Sequence, residues 1–302
     1  GTGNVFIQNS GAVSVGAFGG VTGLTSATGS VTLTNNNTIT LDEAVSATAG
    51  TASLTTTSGA IVDSDGDGAT PNISSQQIEL RAVAGIANGA GDDSELEINA
   101  TDGSNGFAAT TTTSDINVRD TTGGLSIGTV GATTGVSITG GAAGDAVRIR
   151  ASSPLAVNQA VSNTGGGAIT LAAEGTAATD DLTVGANVTA TGGNGASTLV
   201  AGDTGSLTGT ATVSAAGTGT VIVSGGTNFN NGTQANGNAA GSVSMASGTT
   251  VSSQDGNITL RAPGDVALAA VNANADADGT EGNLTITADF AGVGGGLSNS
   301  IG

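Results

Sequence analysis

Gly256-Asn257-Ile258-Thr259-Leu260 is followed 26 residues later by Gly282-Asn283-Leu284-Thr285-Ile286. Each segment is a Gly-Asn pair followed by an apolar–polar–apolar triplet, which is a turn leading into a strand with one buried face. The same triplet returns along the chain, for example at Val31-Thr32-Leu33, Ile39-Thr40-Leu41 and Ile169-Thr170-Leu171. No window sustains a 3.6-residue period, so an all-β chain with essentially no helix is expected.

The spacing of the triplets predicts the architecture. Val5 and Val13 recur as Val31 and Ile39, 26 residues on, while Leu125, Val147 and Ile169 lie 22 apart. A drifting period of roughly 20–26 residues is the mark of a solenoid with loops of variable length. Leucine-rich repeats need several leucines per turn and are excluded. Short strands with glycine and asparagine corners predict a parallel β-helix, a β-solenoid whose coils stack ~4.8 Å apart. About twelve or thirteen coils would then make a rod of roughly 60 Å. The triplets at Ile78, Leu96 and Ile116 are expected to stack as successive coils. That alignment puts Glu79, Glu97 and Asn117 in one outward column, Arg81, Asn99 and Arg119 in the next, and Leu80, Ile98 and Val118 in one inner file. No composition break divides the chain, so residues 1–302 read as one continuous solenoid segment. Starting at Gly1 without a methionine, it reads as a piece of a longer chain.

Composition narrows the function classes. Glycine is 53 of 302 residues, aromatics are 2%, and Tyr, Trp, His, Cys and Lys are absent. Such a chain must build a thin, repeated core from small branched side chains. A hydrophobic fraction of 37% and a mean hydropathy of +0.15 are too apolar for a solvated tail. The net charge of −19 excludes nucleic acid and anionic membrane surfaces as partners. No apolar run approaches the roughly 20 residues that cross a bilayer, so membrane insertion is not expected. Catalysis lacks an imidazole, thiol, amine or phenol. Phe6, Phe18, Phe107, Phe229 and Phe290 are too scattered to form a sugar cleft, and a non-catalytic protein is expected.

Calcium is the sharpest candidate ligand. Asp63-Ser64-Asp65-Gly66-Asp67-Gly68 has alternate carboxylates and a glycine turn, so Asp63, Asp65 and Asp67 can converge on one hard cation. Asn274-Ala275-Asp276-Ala277-Asp278-Gly279 repeats the pattern through Asn274, Asp276 and Asp278. Both lack a glutamate at the twelfth position, where Ser74 and Thr285 stand. The competing reading is a polar turn, since Asp, Asn and Gly favour turns. Asp92, Asp93, Glu95 and Glu97 read as a solvated acidic surface. Outward threonines such as Thr32, Thr34, Thr38 and Thr40 fit β-propensity, and the drifting repeat argues against a flat, regular array.

The run from Gly256 to Ala262, then Gly264-Asp265-Val266-Ala267-Leu268, then Gly282 to Thr287 resembles filamentous-haemagglutinin-type repeats. Gly167-Ala168-Ile169-Thr170-Leu171-Ala172-Ala173 has the same texture. Such repeats occur in two-partner-secreted adhesins and autotransporter-like giant bacterial surface proteins. The resemblance implies a right-handed parallel β-helix shaft on the outside of a Gram-negative-type cell. The expected function is thus a structural, adhesive shaft, extracellular or at the cell surface. Its partner would be a host, neighbouring-cell or matrix surface. The alternative is a subunit of an extracellular filament or surface layer that self-associates end to end.

Overall fold

The structure is a computed structural model that describes residues 2–64, 70–87, 95–230, 233–289 and 297–299. The described residues contain no helix, and strands stack into a parallel β-solenoid of about ten turns. One sheet of 27 strands holds the coils together. At ~4.8 Å per coil the shaft is roughly 50 Å long.

Three ladders form the walls. The first contains Val5–Asn9, Val31–Asn35, Phe107–Thr111 and Val136–Ile138. The second contains Val13–Val15, Ile39–Leu41, Ile116–Asp120 and Val147–Ala151. The third contains Leu24–Ser26, Leu125–Ile127 and Leu155–Val157. Val45–Thr56 and Ile73–Ala82 each run unbroken from the third wall into the first.

Alternation places Val, Ile and Leu inside, where they form a single apolar cluster from Val15 to Val266. Each such side chain contributes about 1.5–3 kcal/mol on full burial, which lets a chain with few aromatics hold a core. Polar residues at corner positions of the inner files turn inward to bind the backbone. The Thr56 hydroxyl donates to the Gly59 carbonyl (2.6 Å), the Ser253 hydroxyl to Gly219 (2.7 Å) and the Asn35 amide to Thr38 (2.9 Å).

The expected 26-residue recurrences pair directly: Val5 with Val31, Val13 with Ile39, and Ile258 with Leu284. Val147 pairs with Ile169, but Leu125 pairs with Leu155, on another wall. The stacking of Ile78, Leu96 and Ile116 is likewise corrected. Ile78 pairs with Phe107, Leu96 with Val118, and Ile116 with Ile86 and Val147. Ile78 lies on the first wall, whereas the Leu96–Ala100 and Ile116–Asp120 strands do stack in successive coils, shifted by two residues so that Ile98 meets Asp120 rather than Val118. Equal spacing did not mean equal position.

Several coils are longer than the expected 20–26 residues, which is why there are fewer coils. Val251 pairs with Val271, a step of 20, whereas Ile116 pairs with Val147, a step of 31. The longest steps carry insertions: Val213 pairs with Val251 across a segment that holds the Thr227–Asn230 and Thr233–Asn236 hairpin. Drift is confined to the corners. On the first wall the outward file Thr110, Ser137, Ser162, Thr189, Ser214 and Ser252 runs without a break. It is more regular than the sequence spacing implied.

Candidate functional site

Corner turns stack like the strands they join, and this builds an acidic cluster. The turn after Thr250–Ser253 carries Asp255, and the turn after Ala270–Asn272, one coil on, carries Asn274, Asp276 and Asp278. The Ala275 amide donates to the Ser253 carbonyl (3.0 Å), which keeps the two turns in register. Carboxylate oxygens of Asp255, Asp276 and Asp278 all lie within 4.8 Å of one another. Two of the three carboxylates that meet at this corner, Asp276 and Asp278, are among the expected ligands. Asp255 is the addition: it is remote in sequence and was visible only through the coil step.

The local hydrogen bonds shape the turn. The Asn274 amide N–H donates to Asn272 Oδ1 (3.0 Å), and the Thr280 N–H donates to Asp278 Oδ1 (2.7 Å). Asp255 Oδ1 and Asn274 Oδ1 are shielded from solvent and accept no hydrogen bond. Desolvation, then the charges of Asp276 and Asp278, raise the Asp255 carboxyl above its ordinary value. Hard oxygen donors crowded together under mutual repulsion are the chemistry that a divalent cation relieves.

The other expected calcium loop is only partly described. Asp63 ends the Ile61–Asp63 strand and accepts from the Asn72 side-chain amide at 3.0 Å. Asp65 and Asp67 lie outside the described residues, as do Asp92 and Asp93.

A second constellation went unread in the sequence. On the outer side of the second wall, Arg119 pairs with Glu97 on one side and with Arg150 on the other, in successive strands. Glu95 and Glu97, expected on a solvated surface, are enclosed, and so is Glu79. Arg150 is fully buried and donates to Glu95 (2.8 Å) and to Glu174, which also accepts from Arg119 (3.2 Å). The Thr227–Asn236 hairpin folds back over the same wall. Its Phe229 packs on Ala172 and Val200, and the Arg148 and Arg150 guanidinium carbons lie 5.9 and 6.0 Å from the ring centroid. The signal was faint: two arginines at Arg148 and Arg150 in a chain with five basic residues.

Two further hairpins leave the corners. Thr129–Val130 with Thr133–Thr134 docks on Glu79, whose Oε1 accepts from the Ala132 amide (2.9 Å) and the Thr133 hydroxyl (2.8 Å). Ala17–Phe18 with Val21–Thr22 projects, leaving Phe18 90% exposed. No helix among the described residues is long and apolar enough to cross a membrane. No protein-family model, curated protein or solved structure matches the chain.

Proposed function

We propose that this chain is a non-catalytic, structural and adhesive shaft segment of an exported bacterial surface protein of the filamentous-haemagglutinin type. One observation carries the reading: paired registers run from Val5 to Leu284 around one uninterrupted apolar core, so each coil leans on its neighbours. An elongated β-solenoid of this kind resists bending and presents outer faces along its length. Lack of His, Cys, Lys and Tyr leaves few groups for chemistry and suits display. Docked hairpins would stiffen the wall, and the projecting Phe18 hairpin offers an apolar tip for contact. Divalent cation binding at Asp255, Asp276 and Asp278 belongs to the same reading, as a local brace between two turns.

The test is adhesion. Beads coated with the protein should adhere to bacterial, host-cell or matrix-coated surfaces more than beads coated with heat-denatured protein. The Phe18→Ser variant should adhere less while melting at the same temperature. Equal adhesion by native and denatured protein, or release of soluble sugar from polysaccharides, defeats the proposal.

A further inference from the structure

Asp120 ends the Ile116–Asp120 strand at the corner where the second wall turns into the third. Its side chain shares the inward side of that strand with Ile116 and Val118, and all three have 0% exposure. Its ladder neighbours are Ile98 and Ala151, and the file continues as Ala173 and Ala201. A carboxyl therefore stands where later coils place a methyl group. The Thr122 amide donates to its Oδ1 at 3.5 Å, and its buried Oδ2 accepts nothing. Charges on the neighbouring strands do not compensate it. Arg119, Glu97 and Arg150 alternate to the outer side, while Ile98 and Ala151 face it from the strands on either side.

The wall beside it is open. Ser75 pairs with Ala100, and Leu125 pairs with Leu155, but no strand pairing among the described residues joins Ala100 to Leu125. A cleft of about 410 Å³ lies there, lined by Asn99, Ala100, Thr122, Gly124, Leu125 and Pro154. The corner is held across that gap chiefly through Asp120's own neighbours. The Thr121 amide donates to the Ile98 carbonyl (3.0 Å), and the Ser152 amide to the Asp120 carbonyl (2.9 Å).

We infer that Asp120 is a proton-operated latch: protonated, it lets the corner close over an apolar file, and ionised, it drives residues 121–124 open so that water reaches the carboxylate through the cleft. The cause is the cost of a charge in an apolar interior without a partner. Burial pushes the Asp120 carboxyl up to about 7, against the smaller opposing effect of the Thr122 hydrogen bond. The latch is independent of the adhesive role.

The test is amide hydrogen exchange over the segment 116–127, corrected for the intrinsic pH dependence of exchange. In the wild-type chain, local opening should rise about tenfold per pH unit between 3.8 and about 7, then level off. Asp120→Asn, and Asp120→Ala, which copies Ala151, should remove that slope. The Thr164 corner, where the amide donates to the Ile138 carbonyl at 3.1 Å, is the control. A wild-type slope no steeper than that control overturns the latch, as does a slope that persists in either variant.

Discussion

The Arg150 guanidinium donates to Glu95 Oε2 at 2.8 Å with both side chains fully enclosed, although 55 residues of chain separate them. Glu174, 24 residues beyond Arg150, closes on the same guanidinium and on Arg119. The group therefore ties four separate segments of the chain onto one wall. Removing charges from water costs several kcal/mol per ion, so the group fixes which segments lie together more than it adds net stability.

Truncating one member is expected to be costly and replacing the set is not. Arg150→Ala leaves Glu95 and Glu174 enclosed without their shared cation and should destabilise by about 3–5 kcal/mol. The triple variant Arg150→Met, Glu95→Leu, Glu174→Leu should fall near wild type, since it removes the enclosed cation together with both of its carboxylates and leaves only the part-exposed Arg119 charge. Urea unfolding of the two proteins decides the matter. Similar large losses in both would mean that the pairing is a net stabiliser.

Global stability should be greatest in mild acid. The Asp120 carboxyl is raised in the folded chain, so folding is favoured while it stays protonated. Stability is then lost as pH climbs from 3.8 to about 7, by up to ~4 kcal/mol. Desolvation also raises Asp203, with the Asp181 charge adding to it, so Asp203 acts in the same direction. Asp42 and Asp102 oppose them at the acid end. Hydroxyls of Ser14 and Ser64 hold Asp42 low, and amides of Ser104 and Asn105 hold Asp102 low. Their stabilisation is present above 3.8 and disappears as pH falls through their lowered values. Thermal melting against pH should give a maximum at about pH 4–6, and Asp120→Asn should raise the neutral-pH melting temperature while changing little at the acid end. A maximum that stays above pH 7, or no gain from Asn, contradicts the assignment.

Which parts of this molecule were legible follows from what each depended on. Ile258 and Leu284 announced themselves because the Gly-Asn corner and its apolar triplet recur together at one coil step. Leu125 misled because three walls carry the same triplet, and only paired backbones distinguish them. Two of the three carboxylates of the acidic corner, Asp276 and Asp278, could be read from local spacing, whereas Asp255 joins through a coil step. Nothing local to Arg150 says that Glu95, Glu174 and Phe229 will cover it. Burial imposed by distant segments leaves no periodic trace.

Calcium should bind at the Asp255 corner. Three carboxylates without a bidentate glutamate suit affinity in roughly the 10⁻⁴–10⁻³ M range of extracellular modules. Calorimetric titration should show a weak site that Asp276→Asn or Asp278→Asn removes and that Asp63→Asn leaves. The same Asp276→Asn change should let the Asp255 carboxyl drop toward 3.8, because a repelling charge is gone. Absence of heat at several times that concentration, with melting unchanged by calcium, leaves the corner as a turn only.

Gly128 and Gly135 stand at the base of the Thr129–Thr134 hairpin, where the Gly135 amide donates to the Gly128 carbonyl at 2.8 Å. Gly16 and Gly23 repeat this at the Ala17–Thr22 hairpin, at 3.2 Å. Both closing glycines have positive φ, +69° at Gly135 and +65° at Gly23. A Cβ at either would stand 2.1 Å from a carbonyl oxygen of the next coil, Ala160 or Ala44. Left-handed backbone and close approach thus both demand glycine. Gly135→Ala should cost more than the ~1 kcal/mol of conformational strain alone, because backbone must also move. It should loosen the contact between Thr133 and Glu79 as well. Gly103→Ala is the matched control, with nothing within 4 Å of the added methyl and no positive φ. Thermal melting of both, with exchange at the Ala132 amide, separates the effects. Equal small shifts would mean that the hairpin base yields without strain.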